Sequence, residues 1–158
     1  MHRHRQTKVL PYQPEQLFEL VGGVDAYPEF VPWITSMRTW NLRSAGSHVT
    51  SVDAEAGVGF SFLKERFATR VVRDARALTI EVSLLHGPFK TLKNHWRFLP
   101  DPAGCKVEFN IDFAFKVRLL DAMLHANMDR AVRKLIGCFE TRAEAVYGKV
   151  EPAPIDAG

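Results

Sequence analysis

The chain has 158 residues, 46% apolar and 25% charged, which is the balance of one globular domain with a single sizeable core. Its uninterrupted apolar runs are only a few residues long, far below the roughly 20 that a bilayer-spanning helix needs. Twenty-one Lys and Arg against eighteen Asp and Glu leave a formal charge of +3, too small a surplus to mark a nucleic-acid binder.

Strand periodicity starts around Thr7 to Leu10 and stops at Pro11, so His2 and His4 read as part of a mobile tail. Pro14 suits a first helical position, Leu17, Leu20 and Val21 share a face, and Gly22-Gly23 ends the pattern, which predicts a short helix. In Asp25 to Trp33 two prolines forbid a long regular helix, leaving a broken short helix or an ordered loop. From about Ile34 about six strands follow, parted by turn chemistry at Ala45-Gly46, Asp74-Ala75, Gly87-Pro88 and Pro100 to Gly104. Leu78, Ile80, Val82 and Leu84 alternate with polar residues, as do Val107, Phe109, Ile111, Phe113, Phe115 and Val117. Such strands have one wet face and one dry face.

Beyond Val117 the period lengthens to that of a helix. Leu120, Met123, Leu124, Met128, Ala131, Val132, Leu135, Phe139, Ala143 and Val146 lie on one side, up to a stop at Gly148. The order is strand, short helix, antiparallel strands, long helix. That is an α+β chain: a seven-stranded antiparallel sheet wrapped on a long C-terminal helix, with one or two short helices after strand 1. Residues 1–148 are expected to form a single domain, with 149–158 expected as a disordered tail. A twisted sheet under one long helix does not close tightly along its whole length, so a cavity between the two is expected.

The motifs of common chemistry are missing. The six histidines show no H-x-x-x-H or H-E-x-x-H spacing on a helix, and no metal site is predicted. Cys105 and Cys138 form no C-x-x-C and read as two reduced, buried thiols. No nucleophile elbow, Walker loop or dinucleotide fingerprint occurs. Glu108 and Asp112 fall on the face opposite the Phe row, where solvent is the natural neighbour. No catalytic residues and no catalytic cofactor are assigned. What stands out is apolar: eleven Phe and three Trp against three Tyr, with eight of the Phe between Phe60 and Phe115. On a sheet with one dry face these suit the wall of a pocket for a hydrophobic small molecule. Asn94, Lys90 or His95 would orient a head group there.

The stretch Tyr27-Pro28-Glu29-Phe30-Val31-Pro32-Trp33 and the stretch Gly87-Pro88-Phe89-Lys90-Thr91-Leu92-Lys93-Asn94-His95-Trp96-Arg97-Phe98, with the strand from Cys105 to Val117 leading into the long helix, resemble the coenzyme Q-binding, RatA-like family of the START (polyketide cyclase/dehydrase, helix-grip) superfamily. The likeness runs from about Arg5 to Gly148. It implies a helix-grip, START-like fold and a tunnel for ubiquinone or a similar isoprenoid lipid. The protein would then serve as a quinone chaperone in cellular respiration and not as an enzyme. The same resemblance carries a ribosome-related alternative, interference with subunit association, and a third, a cyclase or aromatase activity using an inward Glu65 or His95. It implies a ligand-binding wall or mouth at Pro32, Trp33, Phe89, Leu92, Asn94, Trp96 and Phe98, to which the aromatic pattern adds Tyr27, Phe30, Phe60, Phe62, Phe109, Phe113 and, on the helix, Met123. The expected partners are ubiquinone and, peripherally, the inner membrane or respiratory components, with a ribosomal subunit as the rival and no DNA. Residues 1–8 are basic without an apolar run behind them, so a cytoplasmic place is expected, with Arg3, Arg5 and Lys8 facing anionic lipid.

Overall fold

The structure, a computed structural model, describes residues 2–60 and 63–149, the side chains of Phe60 and Leu63 excepted. Residues 150–158, most of the expected tail, lie outside it. Strand β1 (His2–Leu10) begins five residues before the apolar pattern does. Pro11 ends it, and α1 (Pro14–Gly22) follows with proline in its first turn, while the Gln13 amide donates to Gln16 Oε1 at 3.0 Å. Leu17, Phe18 and Val21 bury its apolar face. The segment with two prolines closes into a 3-10 turn, η1 (Val24–Glu29), with Pro28 inside it.

Six strands then run back and forth: β2 (Ile34–Ala45), β3 (Val49–Phe60), β4 (Leu63–Asp74), β5 (Thr79–His86), β6 (Phe89–Asp101) and β7 (Gly104–Phe115). The order across the sheet is β1-β7-β6-β5-β4-β3-β2, antiparallel throughout, so β1 and β2 are the edges. The turns use the expected residues. Asp74 Oδ1 accepts from the Arg76 and Ala77 amides at 3.0 Å each, and Gly46 sits at a φ of 79°. Gly104, at a φ of 135°, leaves no room for a side chain, because a Cβ there would run into the Leu10 carbonyl.

Helix α2 (Arg118–Tyr147) has 30 residues, about 45 Å at 1.5 Å per residue, and lies across the inner face of the sheet. Its buried residues are Val132, Ile136, Phe139 and Ala143, which run from the middle of the helix toward its C-terminal end. They meet Val52 and Ala54 of β3, Val71 of β4, Ile80 of β5, Trp96 and Phe98 of β6, and Val107 and Phe109 of β7 in the main core. The far end of α2 is pinned to α1: Tyr147 Oη donates to the Gln16 carbonyl at 2.8 Å, and Tyr12 Oη to that of Gly148 at 3.1 Å. No described helix is long and apolar enough to cross a membrane.

The outer face is mostly polar, and it carries one buried carboxylate among the described residues. Asp53 on β3 is 3% exposed, and its carboxylate accepts from Arg70 Nε at 2.9 Å and Asn41 Nδ2 at 2.9 Å, with Arg43 at 3.7 Å. Asn41 reaches it from a bulge in β2, at a φ of 61°. Hydrogen bonds from Arg70 and then Asn41 hold the Asp53 carboxyl below the usual carboxylate range, against the opposing effect of burial. The stability this lends is present above the ordinary carboxylate value, near about 4, and lost as pH falls through the lower folded value. The urea midpoint should therefore fall as pH is taken from about 5 toward about 2. Asp53→Asn should begin with a lower midpoint at neutral pH and lose less of it over the acid range; equal acid slopes in the two proteins would contradict this role.

Candidate functional site

The dry side of the sheet holds two apolar clusters that differ in how completely they are filled. In the main core Trp96 is 4% exposed and boxed by aromatic rings: Phe109 edge-on at 4.7 Å between centroids, Phe139 edge-on at 5.4 Å and Phe98 stacked at 6.1 Å. Its indole N–H donates to Asn94 Oδ1 at 2.8 Å, and the Asn94 amide nitrogen donates to the Asn110 carbonyl at 2.9 Å. A buried indole needs such a partner, and Asn94 is already committed to supplying it. Tyr27 and Phe30 close the box from the other side, 5.2 and 5.3 Å from Phe139. The Tyr27 hydroxyl donates to the Val21 carbonyl, and burial raises its pKa above the tyrosine range. Tyr27, Phe30, Trp96, Phe98 and Phe109 thus pack mainly against protein.

The second cluster lies at the end of the sheet where β7 passes into α2. Its buried members are Leu92, Phe113 and Phe115, and around them Phe67, Leu84, Phe89, Ile111, Leu120, Leu124 and Met128 are only half-buried. Phe89 stacks at a tilt on Phe115 at 4.3 Å and meets Phe67 edge-on at 5.3 Å. Leu120, Leu124 and Met128 recur at i, i+4 and i+8, so the first half of α2 presents one stripe to these strands. Between Arg118 and Ala131 the helix buries none of its residues fully. The apolar wall here is incompletely covered, which is the condition for admitting an apolar guest.

Polar contacts hold the helix over that wall. His2 Nε2 lies 2.6 Å from Asp121 Oδ2, and His4 Nδ1 lies 2.9 Å from Asp129 Oδ1. The His2 ring stacks on His125 at 4.0 Å. Asp121 Oδ1 also accepts the Phe115 amide at 2.9 Å, and that bond and His2 hold its carboxyl below the usual range. His2 and His4 pair in register with Phe113 and Ile111, so they share the inner face and are part of the grip rather than a tail. Nothing apolar announced this; the signal was the alternation of His2, His4 and Gln6 with Arg3 and Arg5. At the neighbouring strand ends an open cleft of about 450 Å³ is lined by Thr35, Ser36, Gly57, Val58, Gly59, Lys64, Glu65 and Arg66. It is polar, unlike the expected pocket.

The remaining candidates divide. Phe89, Leu92 and Phe113 belong to the second cluster. Trp33 is half-buried beside the cleft, its carbonyl accepting the Gly59 amide at 2.9 Å, and Pro32 is exposed. Phe62 and the side chain of Phe60 lie outside the described residues. Met123 departs from expectation: it is 38% exposed and belongs to neither cluster, because one residue's step around α2 turns it off the Leu120–Leu124 stripe. His95 faces outward, 3.8 Å from Glu81, while Lys90 is exposed. Glu65 borders the polar cleft.

A seven-stranded antiparallel sheet gripping one long helix is the helix-grip, START-like fold. Over residues 10–140 the chain matches the family described as polyketide cyclase / dehydrase and lipid transport, and it belongs to that family. Ribosome association toxin RatA of Rickettsia prowazekii (strain Madrid E) is 32% identical over 145 residues, covering 90% of this chain and 96% of the relative. Coenzyme Q-binding protein COQ10 homolog B, mitochondrial, of Xenopus laevis is 28% identical over 156 residues, covering 94% of this chain and 60% of the relative. The solution structure of the 18 kDa protein CC1736 from Caulobacter crescentus is 67% identical, with a TM-score of 0.81, and the match covers 94% of this chain and all of that one.

The two clusters should answer differently to truncation. Trp96→Ala should cost about 3–5 kcal/mol in urea denaturation, whereas Leu124→Ala, already half open to solvent, should cost about 1 kcal/mol or less. Comparable losses at both positions would mean that the second cluster is as solid as the first.

Proposed function

We propose that the protein binds a hydrophobic isoprenoid lipid, ubiquinone foremost, between the first half of α2 and the strands beneath it, and carries it as a quinone chaperone supporting respiratory electron transport. The observation that carries this reading is the half-buried ring of Phe67, Leu84, Phe89, Leu120, Leu124 and Met128, next to a main core that is already full. Burial alone supplies the affinity. At about 25 cal/mol per Å², covering a few hundred Å² of isoprenoid tail is worth several kcal/mol before ordering costs, so no strong polar anchor is needed. His2, His4 and His125 at the rim offer ring nitrogens to a quinone carbonyl. The lipid-transport description of the family and the coenzyme Q-binding relative agree with this reading.

A second reading, association with a ribosomal subunit, is favoured by the RatA relatives and by one surface feature. On the free edge strand β2, the Arg38 guanidinium sits 5.1 Å over the ring of the exposed Trp40, with Arg43 nearby on the same strand. A cation stacked on an exposed aromatic is suited to phosphate and base contacts. Co-sedimentation with ribosomal subunits that weakens steeply with salt and is lost in Trp40→Ala would favour it.

Protein purified from a quinone-producing host and extracted with organic solvent should yield ubiquinone by mass spectrometry. Leu124→Lys should reduce uptake of added ubiquinone by about ten-fold or more while the protein stays folded. No lipid in the extract, together with no uptake of added ubiquinone, would contradict the carrier reading.

A further inference from the structure

The first turns of α2 are apolar on two sides. One stripe, Leu120, Leu124 and Met128, faces the sheet. A second, Leu119, Ala122, Met123 and Ala126, has the i, i+3, i+4, i+7 spacing of a helix face yet is exposed throughout, with Leu119 73% and Met123 38% accessible. Val117, 57% exposed, extends this stripe into the loop before the helix. The Lys116 amide donates to the Pro88 carbonyl at 2.9 Å, which joins that loop to the β5–β6 turn, close to Leu85, itself 41% exposed. The helix start and this turn therefore form one surface.

Its charge is one-sided. Lys90, Lys116 and Arg118 are exposed around the patch, and none of the three is in an ion pair among the described residues. Between Arg118 and Met128 the only acid is Asp121, whose carboxylate is occupied by His2 and the Phe115 amide. Of Arg3, Arg5 and Lys8, the cations expected to meet lipid, Arg3 and Lys8 are engaged by Asp112 and Glu140 on the body of the protein.

We propose that the surface formed by the first turns of α2 and the β5–β6 turn docks on an anionic lipid bilayer, Leu119 and Val117 entering the interface while Lys90, Lys116 and Arg118 meet the headgroups. An exposed apolar helix stripe framed by cations is the pattern of a segment that lies in a membrane interface. The inference rests on the carrier reading for its purpose: the stripe that would touch lipid and the stripe that lines the site are on the same turns of one helix. Docking there places the incompletely covered wall at the level from which an isoprenoid tail would leave the bilayer.

The test is sedimentation of the purified full chain with vesicles of phosphatidylglycerol and phosphatidylethanolamine, compared with phosphatidylcholine alone, at low and high salt. The protein should partition onto the anionic vesicles, less so as salt rises. Leu119→Glu with Ala122→Glu should lower that partitioning by about ten-fold or more, and Lys116→Glu with Arg118→Glu should lower it on anionic vesicles only. Both variants should keep a native circular dichroism spectrum and take up a short-tailed, water-soluble ubiquinone analogue as the parent does. Absence of vesicle binding, partitioning untouched by either variant, or a solution dimer abolished by Leu119→Glu would overturn the docking face, the last by assigning the stripe to a second copy of the chain. Quinone uptake without vesicle binding overturns docking and leaves the carrier reading standing; vesicle binding without quinone uptake does the reverse.

Discussion

Everything on the dry side of this protein depends on where Phe139 of α2 meets Trp96 of β6. The contact, 5.4 Å between ring centroids, fixes the second half of the helix against the middle of the sheet and gathers Tyr27, Phe30, Phe98 and Phe109 around it. A straight helix seated at one end on a twisted sheet diverges from it at the other. The apolar contacts of α2 follow that division. Val132, Ile136, Phe139 and Ala143 are buried, while Leu120, Leu124 and Met128 are half covered.

In the proposed reading, that division separates stability from function. The packed end holds the hydrophobic stabilisation, and α1 with Tyr12 and Tyr147 ties down the helix terminus. At the open end the helix is held by His2 to Asp121 and His4 to Asp129, side-chain contacts at the edge strand. Partly exposed side-chain contacts of this kind contribute little beside the burial at the packed end, so the open end is the easier place to part helix from sheet. In the proposed carrier reading, an entry route for a lipid and a firm core coexist in one domain because they use different stretches of the same helix.

Much of this fold was legible in the sequence because its strands and helix keep their periods. The alternation from Val107 to Phe115 and the proline and glycine punctuation at Pro14, Gly23, Gly46 and Gly104 specify elements that the structure contains. The site was less legible. Which aromatic residues fill the core and which leave room is decided by contacts between distant segments, such as Trp96 with Phe139, and no local pattern encodes them. Asn94 illustrates the point: its position suggested a ligand anchor, and its hydrogen bonds serve Trp96 and the neighbouring strand. The start of α2 misled in another way. Being apolar on two sides, it offered Met123 to the inner face, and Ile136, 2% exposed, escaped notice beside Leu135.

The central claim is that one protein has a filled core at Trp96 and a receptive wall at the start of α2. Carbon-13 methyl spectra recorded during titration with a short-tailed ubiquinone analogue test it directly. The account predicts shifts confined to Leu92, Leu120, Leu124 and Met128, with Val107, Val132 and Ile136 unmoved. Unperturbed methyls throughout, or shifts centred on Val132 and Ile136, would contradict it.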